Sequence, residues 1–431
     1  MNFDEAMDYL RGLTKFGINL GLGRIEELLK RLGDPHRSGL NIVHIGGTNG
    51  KGSTTAMLSE IMSEAGYRVG AFTSPHLHSY TERYRINGAR IKPERAAALL
   101  TELRPHLDAM VAEGHEHPTE FEVGTALAFL YFSREKVDCL LLEVGLGGAI
   151  DSTNVAPSVL SVITNVAMDH MDYLGHTIKE IAAVKAGIIK PGTPVVTAAA
   201  GEGLQVIEKV CGEKGCRLTR VGQELTWEPI SHSLSGQSFS VTGQKGLYEN
   251  LTIKLLGRHQ LVNAVTAIAA AENLSDTGMP VNAGAVYKGL ASALWPGRLE
   301  IFNRKTLTII DGAHNFEGAR SLKQALEDYF PDKNIVLVMG MLADKERARV
   351  VGELVPGARA VVVTRPDSPR SGDWRHLAEL AGRYAADIYL EEDVGEALNK
   401  AGTLAGPKDL VCVTGSLYMV AEARERLLQQ E

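Results

Sequence analysis

Cysteine is scarce in this chain. Cys139, Cys211, Cys216 and Cys412 are the only four in 431 residues, too few and too scattered for a disulfide framework or a paired zinc clip, so they read as core or surface thiols. Positive charge is short as well. Lys and Arg number 45 against 52 Asp and Glu, a formal net charge of −7, and a nucleic-acid backbone needs a basic face that this balance does not supply. No nucleic-acid partner is expected, and any anion site must be local. Long apolar runs are missing, and Met1 to Leu10 carries Asp4, Glu5 and Asp8. Neither a membrane span nor a signal peptide is expected, and the cytoplasm is the default location.

What is present fits a globular protein, with 44% hydrophobic and 23% charged residues. The length exceeds one comfortable core, so two domains are expected. Leu294-Trp-Pro-Gly-Arg298 interrupts the pattern and marks the boundary, giving residues 1–295 and 298–431. Beyond it, strands at Thr306 to Ile310, Ile335 to Met339, Ala360 to Thr364, Ile388 to Leu390 and Leu410 to Thr414 alternate with helices. That is the pattern of a doubly wound α/β sheet. No GxGxxG follows its first strand, which argues against a dinucleotide cofactor. The fold class is therefore α/β, a parallel-sheet phosphate-binding domain plus a smaller Rossmann-like C-terminal domain. Alternation at Ser238 to Val241 and Leu251 to Leu255 suggests a small antiparallel insertion within Cys216 to Leu256.

The first domain is organised around residues 41–56, Asn-Ile-Val-His-Ile-Gly-Gly-Thr-Asn-Gly-Lys-Gly-Ser-Thr-Thr-Ala. The stretch reads as a buried strand, a glycine turn and a helix start, which together make a phosphate cradle. Gly46, Gly47, Gly50 and Gly52 can take backbone angles closed to other residues, so N–H groups can converge on one anion. Lys51 brings charge to the β/γ-phosphates, and Ser53 or Thr54 a hydroxyl to Mg²⁺. The strict pattern is not met, because Ile45 stands where the first Gly would fall and Gly52 separates Lys51 from Ser53. A Gly-rich turn with a solvated Lys is the plainer alternative.

Other polar residues fall where strands of that sheet should end, the edge at which open α/β sheets bind ligands. Tyr67 to Phe72 is followed by Ser74 and His76, Val137 to Leu142 by Glu143, and Val159 to Thr164 by Asn165, Asp169, His170 and Asp172. Glu143 is either exposed at its strand end or paired with a cation, for which Mg²⁺ is the natural choice beside a phosphate cradle. Thr177 and Glu180 form a capping box for a helix on which Ile178, Ile181, Lys185 and Ile188 share one stripe. Lys185 on that stripe either snorkels to water or is a neutral amine, which can take up CO₂ as a carbamate and serve a second Mg²⁺. His259 and Asn263, four apart on a helix, touch a purine or simply pack. In the second domain, ligand duty falls to Asp311 and His314. Leu13, Phe16, Ile18, Leu20 and Leu22 form an apolar leader that packs or lines a cleft.

The segments Gly47-Thr-Asn-Gly-Lys-Gly-Ser53, Ser74-Pro-His76, Glu143-Val-Gly-Leu-Gly-Gly148, Asp151-Ser-Thr-Asn154, Asp169-His170, Lys185-Ala-Gly187, Gly257-Arg-His-Gln-Leu-Val-Asn263, Pro296-Gly-Arg298 and Asp311-Gly-Ala-His-Asn315 resemble those of folylpolyglutamate synthases. That family includes the bifunctional dihydrofolate synthases and lies within the Mur ligase superfamily. The resemblance runs in order through nearly the whole chain. It implies an ATP-dependent amide ligase: a folate's terminal carboxylate attacks the γ-phosphate, and L-glutamate's amine displaces phosphate from the acyl phosphate. On the same resemblance, Asn49, Gly50, Lys51 and Gly52 cradle phosphates. Ser53, Ser74, Glu143 and His170 hold Mg²⁺, at two sites in all, and Lys185 matches a carbamylated lysine.

Asn263, Arg298 and Asp311 match nucleotide contacts, and His314 lies near the glutamate and acyl-phosphate site; Lys51, Lys185, Asp311 and His314 are the catalytic candidates. Gly21, Leu22, Gly23, Arg24, His76, Thr119, Glu120, Phe121, Glu122, Asp151, Ser152 and Thr153 match the substrate side. The chain departs from many relatives at Ala149-Ile150-Asp151-Ser152, where they carry Arg or Tyr two positions before the Asp and Ala after it. Folate or dihydropteroate and glutamate are the expected partners of a monomer. The rivals are a cell-wall amino-acid ligase, which needs an N-terminal domain larger than the stretch before Asn41 allows, and a kinase or nucleotide switch, which needs no second sheet.

Overall fold

The computed structural model describes residues 1–17, 19, 21–303 and 306–429. Ile18 and Leu20 of the apolar leader lie outside them. Strands β1 (Asn41–Gly46), β2 (Val69–Phe72), β3 (Tyr84–Ile86), β4 (Ala89–Arg90), β5 (Cys139–Glu143), β6 (Ser158–Ile163), β7 (Val195–Thr197) and β8 (Leu218–Arg220) form an eight-stranded sheet. Its order is β4-β3-β2-β5-β1-β6-β7-β8, parallel from β2 to β8 and antiparallel in the edge hairpin.

The central strand β1 pairs parallel with both β5 and β6. Its apolar sequence follows from having both faces covered. Val43 and Ile45 pack with Met57, Leu58, Ile61 and Met62 of the helix Lys51–Glu64. Ile42, on the alternate face, joins the core beneath the helices Phe3–Leu13, Gly23–Arg31 and Glu120–Arg134.

The insertion is antiparallel, as its alternation implies: β9 (Thr226–Ser233), β10 (Gly236–Thr242) and β11 (Leu247–Ile253) in the order β11-β10-β9. It begins later than Cys216, because Leu218–Arg220 adds to the large sheet instead, parallel to β7. A three-residue edge strand is too short to display a period of its own.

The second sheet contains β12 (Glu300–Asn303), β13 (Leu307–Asp311), β14 (Asn334–Met339), β15 (Ala358–Val363), β16 (Ile388–Leu390) and β17 (Asp409–Thr414), ordered β12-β13-β17-β14-β15-β16. All its pairings are parallel except β12 with β13. Helices cover both faces, over separate apolar clusters. The carboxyl ends of β1, β5, β6 and β13 supply the residues that line one cavity.

Candidate functional site

The turn after β1 has the backbone that an anion receptor needs. Gly47 (φ 135°) and Gly50 (φ 81°) are left-handed, and a β-carbon on Gly50 would lie 2.3 Å from Asn263 Oδ1. Gly46 and Gly52 do not use that region. They are small because side chains press on them, Ile188 on Gly46 and the Trp295 indole on Gly52. The helix Lys51–Glu64 then starts with no side-chain cap, leaving its first N–H groups for a ligand.

Neighbouring strand ends hold the turn. Asn165 Oδ1 accepts from Thr48 N at 3.2 Å and Asn49 N at 2.8 Å, and Thr164 Oγ1 donates to Asn49 O at 2.6 Å. Lys51 Nζ folds back over its own loop, donating to the Gly47 and Thr48 carbonyls at 3.1 Å each. Lys185 Nζ, fully inside the protein, donates to the same Gly47 carbonyl at 3.0 Å. Burial, helped by Lys51, pushes Lys185 down to about 7, so much of it is a neutral amine near neutral pH.

Around this turn lies a cavity of about 380 Å³. Asn49, Gly50, Lys51, Gly52 and Ser53 form one wall; Ser74, Glu143, His170 and Lys185 another; Asn263, Arg298, Asp311 and His314 the rest. Glu143 is buried, and burial pushes its carboxyl up to about 7 against the pull of Lys51 and the Ser74 N–H. Among the described residues no three His, Cys, Asp or Glu side chains converge into a metal cage. Mg²⁺ fits this sparse set of Ser53, Ser74 and Glu143, since it keeps several waters and leans on one carboxylate plus substrate phosphates. A cation beside Glu143 would also offset the cost of its buried charge. His170 is neutral, pushed down to about 4 by burial, but its Nε2 faces Lys345 Nζ at 3.2 Å. A metal at that nitrogen requires the lysine to move.

A second cavity, of about 320 Å³, adjoins the first. Gly21, Thr119, Glu120, Phe121, Glu122, Asp151 and Ser152 contribute to it, with Pro75, Leu146, Ile150, Leu342 and Leu417 giving an apolar lining. Ser74, His170 and His314 belong to both cavities. Five other substrate-side candidates do not line it. Leu22 packs on the apolar cluster under the N-terminal helices, and Gly23 and Arg24 border an outer hollow, Arg24 being held by Glu122, Glu116 and the Asn19 carbonyl. His76 sits behind Arg83, whose Nε donates to its Nδ1 at 3.0 Å. Thr153 is buried between His44 and Asp151.

The geometry adds Arg83 and Lys345 to the site and gives several expected residues their partners. Arg83 lines the second cavity while donating to Glu120 at 3.0 Å. Lys345 crosses from the second sheet to Asp169 at 2.8 Å, and the pair is nearly solvent-free, with side chains 6% and 9% exposed. Buried Asp169 is thereby held well below the usual carboxylate range, with His170 and His314 adding to the effect. Asn315 exchanges amide hydrogen bonds with Asn49 at 3.0 and 3.2 Å and donates to Asp169 at 3.0 Å. Both oxygens of Asp311 accept backbone N–H groups, from Leu299 and Ala313, at 2.8 Å. His314 Nδ1 lies 2.8 Å from the Gly312 carbonyl. A carbonyl only accepts, so Nδ1 carries the proton and Nε2 keeps a lone pair on the wall between cavities. Lys345 follows a strand end in the sequence, but its pairing with Asp169 becomes visible only when the two sheets meet.

Residues 45–271 match the Mur ligase middle domain, and residues 297–417 the Mur ligase glutamate ligase domain. The chain is 37% identical over 428 residues to the dihydrofolate synthase/folylpolyglutamate synthase of Bacillus subtilis, covering 99% of each. The crystal structure of the Thermotoga maritima folylpolyglutamate synthase superimposes with a TM-score of 0.86 at 37% identity, covering 100% of this chain and 97% of that one. Escherichia coli FolC in complex with DHPP and ADP gives a TM-score of 0.90 at 31% identity, covering 100% and 98%.

Proposed function

The chain belongs to the Mur ligase family, with the dihydrofolate synthase/folylpolyglutamate synthases, and from that premise we propose how its two cavities divide the work of an ATP-dependent glutamate ligase. The enzyme binds ATP and joins an acid to an amino acid. Its triphosphate lies in the cavity on the β1 turn, with Asn49 to Ser53 around the phosphates and Asn263, Arg298 and Asp311 toward the nucleoside. The folate, or dihydropteroate, occupies the more apolar cavity between Phe121, Ile150 and Leu417, its terminal carboxylate reaching the wall formed by Ser74, His170 and His314.

The observation that carries this reading is that shared wall, since a carboxylate and a γ-phosphate must meet there. The carboxylate oxygen bonds to the γ-phosphorus as ADP leaves. The glutamate amine then bonds to the acyl carbon, phosphate departs, and the nitrogen loses its surplus protons to solvent while keeping one N–H in the amide. Lys51 turns from the loop carbonyls to the phosphates, and His314 orients the amine by accepting its N–H at Nε2. Lys345, Asp169 and Asn315 hold the second sheet against the β1 turn, excluding water that would hydrolyse the acyl phosphate. Mg²⁺ would be held by Ser53, Ser74 and Glu143, and by His170 once Lys345 swings off it, and would supply neutralisation of the phosphate charge. The neutral amine of Lys185 adds to CO₂, forming an N–C bond and releasing one proton, and the carbamate faces the cavity. The enzyme works as a monomer.

The deciding assay supplies ATP with tetrahydrofolate or dihydropteroate, with and without L-glutamate, and reads ADP and product mass. ADP release should require both the folate and glutamate. ATP hydrolysis indifferent to them would replace this reading with a nucleotide switch. Intact mass with and without bicarbonate tests the carbamate.

A further inference from the structure

Chain continuity between the two sheets runs through residues 293–299, and both ends of that segment are fixed against active-site turns. On the first domain's side, Trp295 packs partly buried against its core, and its indole fills the space a side chain at position 52 would occupy. A β-carbon on Gly52 would lie 2.8 Å from Trp295 Cζ2 and Nε1. On the second domain's side, the Gly297 carbonyl accepts from Gly312 N at 3.0 Å, and Leu299 N donates to Asp311 at 2.8 Å. Gly297 N in turn donates to Glu300 at 2.9 Å, which is paired with Arg424 at 2.9 Å.

The backbone between is unusually constrained. Only Pro296 separates Trp295 from Gly297, with its φ locked by the ring. Gly297 (φ 74°) and Leu299 (φ 43°) are both left-handed. A bulky buried leucine holds such an angle only where its surroundings over-determine it. Two residues of chain reach at most about 7 Å. The indole behind the phosphate turn and the Asp311 turn therefore cannot separate without breaking one of these contacts.

We propose that Trp295 is a positioning residue: seated on Gly52, it acts through the strut 295–299 to set where Arg298, Asp311 and His314 stand relative to the triphosphate. This rests on the ligase reading above. Trp295 does not line the cavity, so removing its ring leaves every phosphate contact available while freeing the opposite wall to drift. Misplacement of about 1 Å costs roughly 10²-fold in rate. Ground-state nucleotide binding, which the turn supports independently of Arg298 and Asp311, should weaken less than the rate falls.

The test compares Trp295→Ala and Trp295→Phe in the full chain, measuring melting temperature, kcat with ATP, folate and glutamate, and Kd for AMPPCP with magnesium. For Trp295→Ala, kcat should fall about 30- to 100-fold, with Kd rising by a clearly smaller factor. Phe, which retains a flat ring, should recover most of the rate. A folded Trp295→Ala enzyme with parental kcat, or a loss confined to Kd, overturns the proposal. Should the alanine variant not fold, a Trp227→Phe/Trp374→Phe enzyme leaves Trp295 as the sole indole, since the chain has 3 tryptophans. Its emission should shift on AMPPCP binding, and an unmoved spectrum at saturation overturns the coupling. A parent enzyme with no glutamate-dependent turnover fails the functional reading instead, whatever the variants do.

Discussion

Both sheets present a strand, a turn and a helix to the same cleft, and they finish the helix start in opposite ways. After β1, Gly50 precedes the helix Lys51–Glu64 with no side-chain cap. After β13, Asn315 caps the helix Phe316–Tyr329, its Oδ1 accepting from Gly318 N at 2.9 Å. An uncapped start has N–H groups to offer an anion, whereas a capped one has satisfied itself. The first turn thus has the form of a receptor, and the second that of a mount that carries Asp311, His314 and Asn315 to face it. One supersecondary plan serves opposite purposes, decided by whether glycine or asparagine stands at the cap.

Breaking the receptor should have the largest effect. Lys51→Ala removes the charge from the turn without touching the core, so kcat should drop by about three orders of magnitude or more while the melting temperature holds. An active, folded variant would refute the cradle. Next comes Gly50→Ala, which forces a side chain into a left-handed position and onto Asn263 Oδ1. Strain of about 1–2 kcal/mol at that residue should appear chiefly as weaker AMPPCP binding, about tenfold by calorimetry.

The mount should tolerate more. Asn315→Ala loses a helix cap, worth about 1 kcal/mol in urea unfolding, together with the bonds to Asn49 and Asp169. Asn315→Asp separates these roles, because aspartate still caps the helix yet sets a carboxylate against that of Asp169. Stability near the parent with kcat lowered about tenfold would make Asn315 a latch between domains as well as a cap. Equal behaviour of the two variants would reduce it to a cap.

The same contrast explains what the sequence made legible. The receptor was readable because glycine at close spacing after an apolar strand has few other uses, although two of those glycines prove to be packing positions. Glu143 and His170 could be placed at the sheet's carboxyl edge because parallel strands end there together. The mount's partners were not readable. Lys345 meets Asp169 across 176 positions, and Asn315 meets Asn49 across 266, separations at which neither periodicity nor motif carries information. His76, Thr153 and Arg24 lie off the second cavity's lining for a related reason: motif membership marks a segment as near the site, but only packing decides which side chains face it.

The smallest expected effect lies beneath the receptor. His44, in the middle of β1, is fully buried, with Nε2 2.8 Å from Thr153 Oγ1. Thr153 donates to Asp151, which also accepts from Leu146 N at 2.7 Å. Burial, with Lys190 nearby, pushes the imidazole down from 6.5 to about 3. Between those values the unfolded chain binds a proton that the folded chain refuses. Stability is therefore intact above pH 6.5 and falls as pH drops toward 3, by at most about 1.4 kcal/mol per unit. The corresponding stretch of β13, Ile309-Ile310, has no titrating side chain. Urea unfolding at pH 7 and 5.5 should show the parent losing about 1 kcal/mol more than His44→Gln over that interval. An identical pH response in the two proteins would mean that this imidazole is not the group coupling protons to the fold of the first domain.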